Sequence, residues 1–299
     1  MSSAEVAVQV FRKLESEDIR VLHVIEVAMN KHEFVPKELI AKFAKFSLEE
    51  AEFRLRRLHK LRLVRHVRSP YVGYTLNYAG YDCLAINALV KAGVLEAFGK
   101  PLGVGKEADV YDAINQKSER IAVKFHRLGR ISFRQTMRKR SYTMEHVHWI
   151  FQSRLAAERE FQALKLVFPH GVAVPKPISQ NRHAVVMGMI DGAELAEWKE
   201  LPEPQRILKE ILINVRRAFL KASVIHADLS EYNIILKPDM HILIIDWPQY
   251  VMKDHPNAQQ LLTRDIKNVL EYFRRKHMLK VKLKEALAYV TGKGKITTF

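Results

Sequence analysis

One cysteine in 299 residues, Cys83, rules out an intramolecular disulfide and a multi-cysteine metal site, and it suits a reducing compartment. Long apolar runs are also missing: charges interrupt each one well short of the ~18 residues that a membrane span needs. Met1 to Val10 lacks a basic patch followed by an apolar core, so no secretory signal is expected. Glycine (12) and proline (11) are not in excess, and no repeat or low-complexity tract occurs, which excludes collagen-like and linker-like chains. With 48% hydrophobic residues the chain is too apolar to be wholly disordered and long enough to bury a core without disulfides. These absences together lead us to expect a soluble cytoplasmic protein with no membrane partner.

Acid is the other scarcity. Lys and Arg number 49 against 33 Asp and Glu, a net charge of +16. The excess is clustered. Phe53 to Tyr81 carries seven basic residues and no acid, Arg127 to Arg140 six and no acid, and Arg274 to Lys295 eight against the single Glu285. A merely solvated surface would spread the charge and mix the signs; clustering points to a polyanionic partner, nucleic acid or a nucleoprotein.

The hydrophobic period divides the chain into two domains, 1–92 and 93–299. In the first, helical spacing runs over Ser16 to Met29, a second short helix follows Phe34-Val35-Pro36, and a third opens at Ser47 to Glu50, which reads as a capping box. Leu63 to Val67 and Val72 to Leu76 read as a hairpin. Three helices and a hairpin describe a winged helix, with Arg54, Arg57, Arg62, Arg65 and Arg68 as candidate nucleic-acid contacts; such arginines position a protein on phosphate and read no sequence. Tyr78 to Val90 reads as a linking helix.

Beyond it the period changes to that of strands: Leu95 to Leu102, Ala108 to Ile114 and Arg120 to Phe125. His126 to His148 has no clean period and reads as a mobile basic loop. Helices are expected over Ser153 to Val167, Ile207 to Lys221, Ala258 to His277 and Lys282 to Val290, and strands at Val185 to Met189, Ile234 to Leu236 and Ile242 to Ile245. Strands first and then helices give an α+β unit of two lobes, about 93–189 and 190–299.

The segment richest in chemistry is Ile225-His226-Ala227-Asp228-Leu229-Ser230-Glu231-Tyr232-Asn233, followed by a hairpin and Asp246. Phosphoryl transfer needs a carboxylate to orient the attacking group and oxygen ligands to hold a metal against phosphates. Asp228 and Asn233, with four residues between them, can share one loop, and the next strand pair returns Asp246 to it. Hard oxygens of this kind suit Mg²⁺ or Mn²⁺ and not zinc. Upstream, Gly103-Val104-Gly105-Lys106 lies between two strands, where glycines let backbone amides approach phosphate. Lys124 sits on the following strand; alone it reads as an edge lysine. Glu160 falls in an i, i+4 stripe with Ala156 and Leu164, on a mainly apolar helix side, where a carboxylate needs a partner. Lys124 is the candidate. No Walker-type Gly-x-x-x-x-Gly-Lys-Ser/Thr occurs.

Together these residues resemble a RIO-type atypical protein kinase. The winged helix, the basic loop after Lys124, Val174-Pro175-Lys176-Pro177-Ile178, Asn181 to Met187, Ile245-Asp246-Trp247-Pro248-Gln249 and His255-Pro256-Asn257-Ala258 resemble its second Rio branch, in the compact archaeal form. The resemblance implies an ATP- and Mg²⁺-dependent factor in maturation of the small ribosomal subunit, binding its precursor or rRNA, monomeric off the ribosome. It implies Asp228 as catalytic base, Asn233 and Asp246 as metal ligands, and Lys124 paired with Glu160 on the nucleotide phosphates. It also implies Gly188 and Ile190 as the hinge meeting adenine, and Asp246 as a group able to accept phosphate. Ala108 stands at the third glycine position of the usual kinase loop, Ala227 replaces the Arg of His-Arg-Asp, Trp247-Pro248 replaces Phe-Gly, and only 53 residues follow Asp246. Weak kinase activity with dominant ATP hydrolysis is the expectation. Two alternatives remain: a small-molecule phosphotransferase of the aminoglycoside or choline kinase type, which lacks a use for the winged helix, and a nucleotide-sensing DNA-binding regulator.

Overall fold

The computed structural model describes residues 2–69, 71–105, 107–128 and 145–294, and these form two compact units, Met1–Ala157 with Ser179–Val186, and Glu158–Ile178 with Met187–Phe299. Stretch 129–144 of the expected basic loop, and Lys106 of the glycine turn, lie outside the described residues. No helix among the described residues is long and apolar enough to cross a membrane.

The first unit opens with α1 (Ser3–Phe11), which the period alone does not reveal. Its start is a Ser2/Glu5 capping box, Glu5 N donating to Ser2 Oγ at 3.2 Å and Ser2 N to the Glu5 carboxylate at 3.2 Å. Then come α2 (Ser16–Ala28), β1 (Val35–Pro36), α3 (Lys37–Ala44) and α4 (Leu48–Lys60). The hairpin of β2 (Val64–Val67) and β3 (Gly73–Leu76) gains β1 as a third strand, in order β1-β3-β2. At α4 half of the expected box forms: Ser47 Oγ accepts from Glu50 N at 3.1 Å, while the Glu50 carboxylate takes Arg54 Nε at 2.6 Å.

α5 (Tyr78–Lys91) is buried along most of its length, with α1 packed on it. The strands β4 (Ala97–Val104), β5 (Ala108–Ile114) and β6 (Arg120–His126) follow. α6 (Glu145–Val167) starts earlier than its apolar stripe suggests, and β7 (Pro177–Asn181) and β8 (Ala184–Gly188) complete a sheet in order β4-β5-β6-β8-β7. β7 opens on Pro177 and ends on polar Gln180 and Asn181, which hides it from a strand pattern. One hydrophobic core runs from Ala4 through Leu22, Leu55 and Leu84 to Tyr111, Phe125 and Val186, so residue 92 does not divide the packing.

Arg127 belongs to that core and not to a basic loop. It is fully buried, its Nη atoms on Asp82 at 2.9 Å and Nε on Asp109 at 3.1 Å, with the guanidinium 4.9 Å from the Tyr78 ring centre. His183 Nε2 donates to Asp82 Oδ1 at 2.6 Å. Burial outweighs that carboxylate and pulls His183 down to about 4, so the ring is neutral. Burial also raises the Cys83 thiol, making it inert packing.

The second unit holds β9 (Ala193–Glu194), α7 (Pro204–Arg217), β10 (Val224–Ile225), β11 (Ile234–Leu236), β12 (Ile242–Ile244), β13 (Val251–Met252), α8 (Ala258–His277) and α9 (Leu283–Val290). Ile207, Ile211 and Leu212 of α7 and Leu262, Ile266, Val269 and Phe273 of α8 supply its core. α7 runs into a π-turn over Ala218–Ala222. β11 pairs with β12 and β9, and β10 with β13.

Candidate functional site

In the second unit the first half of the loop between β10 and β11 is buried around one exposed side chain: Ile225, His226, Ala227 and Leu229 are buried and Asp228 is exposed. Three sets of hydrogen bonds hold it. Asp265, on the buried face of α8, accepts from Ala227 N at 2.7 Å and Leu229 N at 3.1 Å. Arg264 donates to the Ala227 carbonyl and Asn268 Nδ2 to that of Leu229 at 3.2 Å. His226 Nε2 donates to Ile245 O at 2.9 Å, and its Nδ1 accepts from Asp228 N at 3.3 Å.

Those two His226 bonds require the neutral ring with its proton on Nε2. Burial lowers its pKa, opposed by the Ile245 carbonyl and by the carboxylates of Asp246, Asp228 and Glu160. The Trp247 ring, 4.5 Å from His226, closes the packing. The same geometry holds Ala227 at φ +64° and Asp246 at φ +66°, conformations that L-residues resist by roughly 1–2 kcal/mol.

Asn233 joins the loop to the strand that leads to Asp246. Its Nδ2 donates to Asp228 O at 2.8 Å, and its carbonyl accepts from Ile245 N at 3.0 Å. With the amide nitrogen engaged, Oδ1 is the atom left for a metal. No group of three or more His, Cys, Asp or Glu side chains fit for a metal occurs among the described residues. Two oxygen ligands, Asn233 Oδ1 and the Asp246 carboxylate, fit an ion completed by phosphate and water, as Mg²⁺ prefers. Glu160 is 2% exposed, and the Ala156–Glu160–Leu164 stripe is buried throughout. Gly188 ends β8 with its N–H on Lys176 O at 2.8 Å, and Ile190 follows, half-buried.

In the first unit Lys124 is 8% exposed on β6, opposite Val110 of β5. β6 is interior to the five-stranded sheet, which removes the edge-lysine reading. Gly103, Val104 and Gly105 are exposed at the β4–β5 turn. A Cβ at Gly103 would meet nothing within 4 Å, so the fold has no steric need of glycine there and leaves room for a ligand.

Two of the candidate nucleic-acid contacts, Arg54 and Arg57, carry ion pairs within the protein. Arg54 is 11% exposed on its side chain and bound to Glu15 (2.5 Å), Glu50 and Asp18; Arg57 binds Glu15, Asp18 and the Lys13 carbonyl. Acids from α2 and the turn before it cancel both charges. Arg62, Arg65 and Arg68 lie on the surface, as does Arg56, and none of the four forms an ion pair among the described residues. Sequence reasoning missed Asp265, although Leu262 and Val269 at i−3 and i+4 place it on an apolar face.

Family models match this chain as a RIO domain over residues 109–286 and as the Rio2 N-terminal domain over 11–92. The chain is 42% identical over 274 residues to the RIO-type serine/threonine-protein kinase Rio2 of Methanocaldococcus jannaschii, covering 88% of this chain and all of that one. It is 37% identical over 276 residues to the Schizosaccharomyces pombe serine/threonine-protein kinase rio2, covering 91% and 80%. It superposes on the Chaetomium thermophilum Rio2 kinase, solved as an ADP/Mg²⁺-phosphoaspartate complex. The TM-score is 0.82, with 31% identity and 97% and 90% of the two chains covered.

Proposed function

Starting from a chain that belongs to the RIO family of atypical serine/threonine kinases, in its Rio2 branch, we propose that it works chiefly as an ATPase in maturation of the small ribosomal subunit. The observation that carries the enzymatic part is the Asp265-clamped loop with Asp228 exposed and Asn233 bonded both to it and to the strand before Asp246. Lys124 and the Gly103–Gly105 turn bind the nucleotide phosphates, and Gly188 and Ile190 meet the base. Mg²⁺, or Mn²⁺, is held by Asn233 and Asp246 and neutralises charge on the phosphates.

Of the two steps, Asp228 serves the second, orienting the attacking water and taking its proton. In the first step the Asp246 carboxylate attacks the γ-phosphorus, a P–O bond to Asp246 forms, the bond to the bridging oxygen breaks and ADP leaves; that the Chaetomium relative was solved with ADP and a phosphoaspartate supports this step. Water then hydrolyses the acyl phosphate to inorganic phosphate. The protein acts in the cytoplasm, as a monomer when off the ribosome, with rRNA of the subunit precursor as its polyanionic partner. The exposed arginines of α4 and the hairpin support that partner.

The test is ATP turnover with Mg²⁺, with and without small-subunit particles, for wild type and Asp246→Ala. Particle-dependent turnover that Asp246→Ala abolishes is expected. Fast phosphorylation of generic peptides, outpacing hydrolysis, would overturn the ATPase reading, and indifference to the particles the ribosomal one.

A further inference from the structure

Between α4 and the β2–β3 hairpin lies a cavity of about 380 Å³ lined by Arg56, His59, His66, Arg68, Val72 and Tyr74. Its size is within the range of small-ligand sites and accommodates one nucleotide. Its walls are aromatic and cationic. The His59 and His66 rings meet edge-on at 4.5 Å, and His66 lies over Tyr74 at 5.9 Å with planes 30° apart. His59 is oriented by its Nδ1–H on Val64 O at 3.3 Å. Arg56 and Arg68 are exposed at the rim and have no ion pair among the described residues.

We propose that this cavity seats one unpaired nucleotide of a single-stranded RNA segment, its base stacked on the His66 face and its phosphate between Arg56 and Arg68. The inference rests on the rRNA reading above and narrows it. A base stacked within a duplex cannot turn into this half-open cavity without leaving the stack, whereas an unstacked base finds here aromatic faces beside cations, the combination that single-strand readers use. The rest of the surface agrees. Arg54 and Arg57, which a helix docked along a duplex groove would need, are engaged by Glu15 and Asp18. The remaining basic residues of α4 and the hairpin lie at the cavity rim and along Lys60, Arg62 and Arg65.

The experiment is fluorescence anisotropy of labelled oligouridine and of a fully paired RNA duplex with the full chain. His66→Ala should weaken oligouridine by about tenfold, with His66→Phe restoring it, since stacking needs the ring and not the nitrogens. Arg56→Ala or Arg68→Ala, both at exposed positions, should each flatten the salt slope by about 0.7 for the single strand. Unchanged oligouridine binding in all these variants, while wild type binds RNA, would overturn the cavity and leave the rRNA reading standing. Equal losses for duplex and single strand would also overturn it. Wild type that turns over ATP but binds neither RNA would overturn the partner reading and the cavity with it.

Discussion

Replacing Asp265 by asparagine perturbs the catalytic loop without touching a reacting group. The native carboxylate satisfies two buried N–H groups, those of Ala227 and Leu229. Asparagine keeps one oxygen and turns an NH₂ toward the other N–H, donor against donor. One buried amide then loses its acceptor, at about 1–3 kcal/mol. Ala227, held at φ +64°, also loses part of what keeps it there. We expect a loss of about 2 kcal/mol in urea unfolding. We also expect a fall in kcat on the order of 100-fold, the usual cost of displacing a catalytic group by an ångström. KM for ATP should change little, because Lys124 and the glycine turn lie outside this loop.

The pH dependence sharpens the test. Burial pushes Asp265 up from 3.8 to about 7. Between those values the native protein holds a proton that the unfolded chain has lost, so this group's contribution to stability is full at low pH and declines as pH rises toward 7. The grip on both amides needs the ionised form and strengthens over the same rise. Wild-type kcat should therefore climb through pH 7, and Asp265→Asn should lack that inflection. An asparagine variant with wild-type kcat, the same inflection and an unchanged urea midpoint would refute the reasoning.

Arg127→Met would leave Asp82 and Asp109 buried without their counter-charge, and about 3–5 kcal/mol of stability should go with it; adding Asp82→Asn should recover part in the same urea titration. His183 is neutral in the native state with a pKa lowered to about 4, so its contribution is complete above 6.5 and lost as pH falls toward 4. The urea midpoint of wild type should drop more between pH 7 and pH 5 than that of His183→Gln, a comparison in which Asp265 cancels. Arg54→Ala should cost about 1–2 kcal/mol of stability and leave RNA affinity unchanged, with Arg68→Ala doing the reverse.

Elements whose own residues carry their period were legible: β5 over Ala108–Ile114 alternates strictly in burial, and α8 spans the expected Ala258–His277. The loop from His226 to Asn233 and the return of the chain to Asp246 could likewise be read, because spacing along one segment determines them. What escaped depends on partners far along the chain. Arg127 looked like part of a basic run because Asp82 and Asp109, which cancel it, stand 45 and 18 residues away. β7 has an unremarkable sequence and becomes a strand through the sheet that adopts it.

The three helical acids among the buried ones that hold these distant groups share one signature. Asp18 lies at i, i+4 from Leu22, Asp82 at i−3 and i+4 from Ala79 and Ile86, and Asp265 at i−3 and i+4 from Leu262 and Val269, all buried. Each is a helical acid on an apolar face, the same reasoning that singled out Glu160. Burying a carboxylate there is costly enough to require a donor, and each finds one: Arg54 and Arg57, Arg127 and His183, and the amides of the catalytic loop. Asp18 thereby decides which arginines of α4 remain without an acidic partner, Asp82 ties α5 to the end of the strand that carries Lys124, and Asp265 sets the posture of the loop that carries Asp228. Acids in short supply in a basic chain are thus concentrated where one charge fixes a functional surface, and the clustering of the basic residues describes only the part of the surface that these acids leave unclaimed.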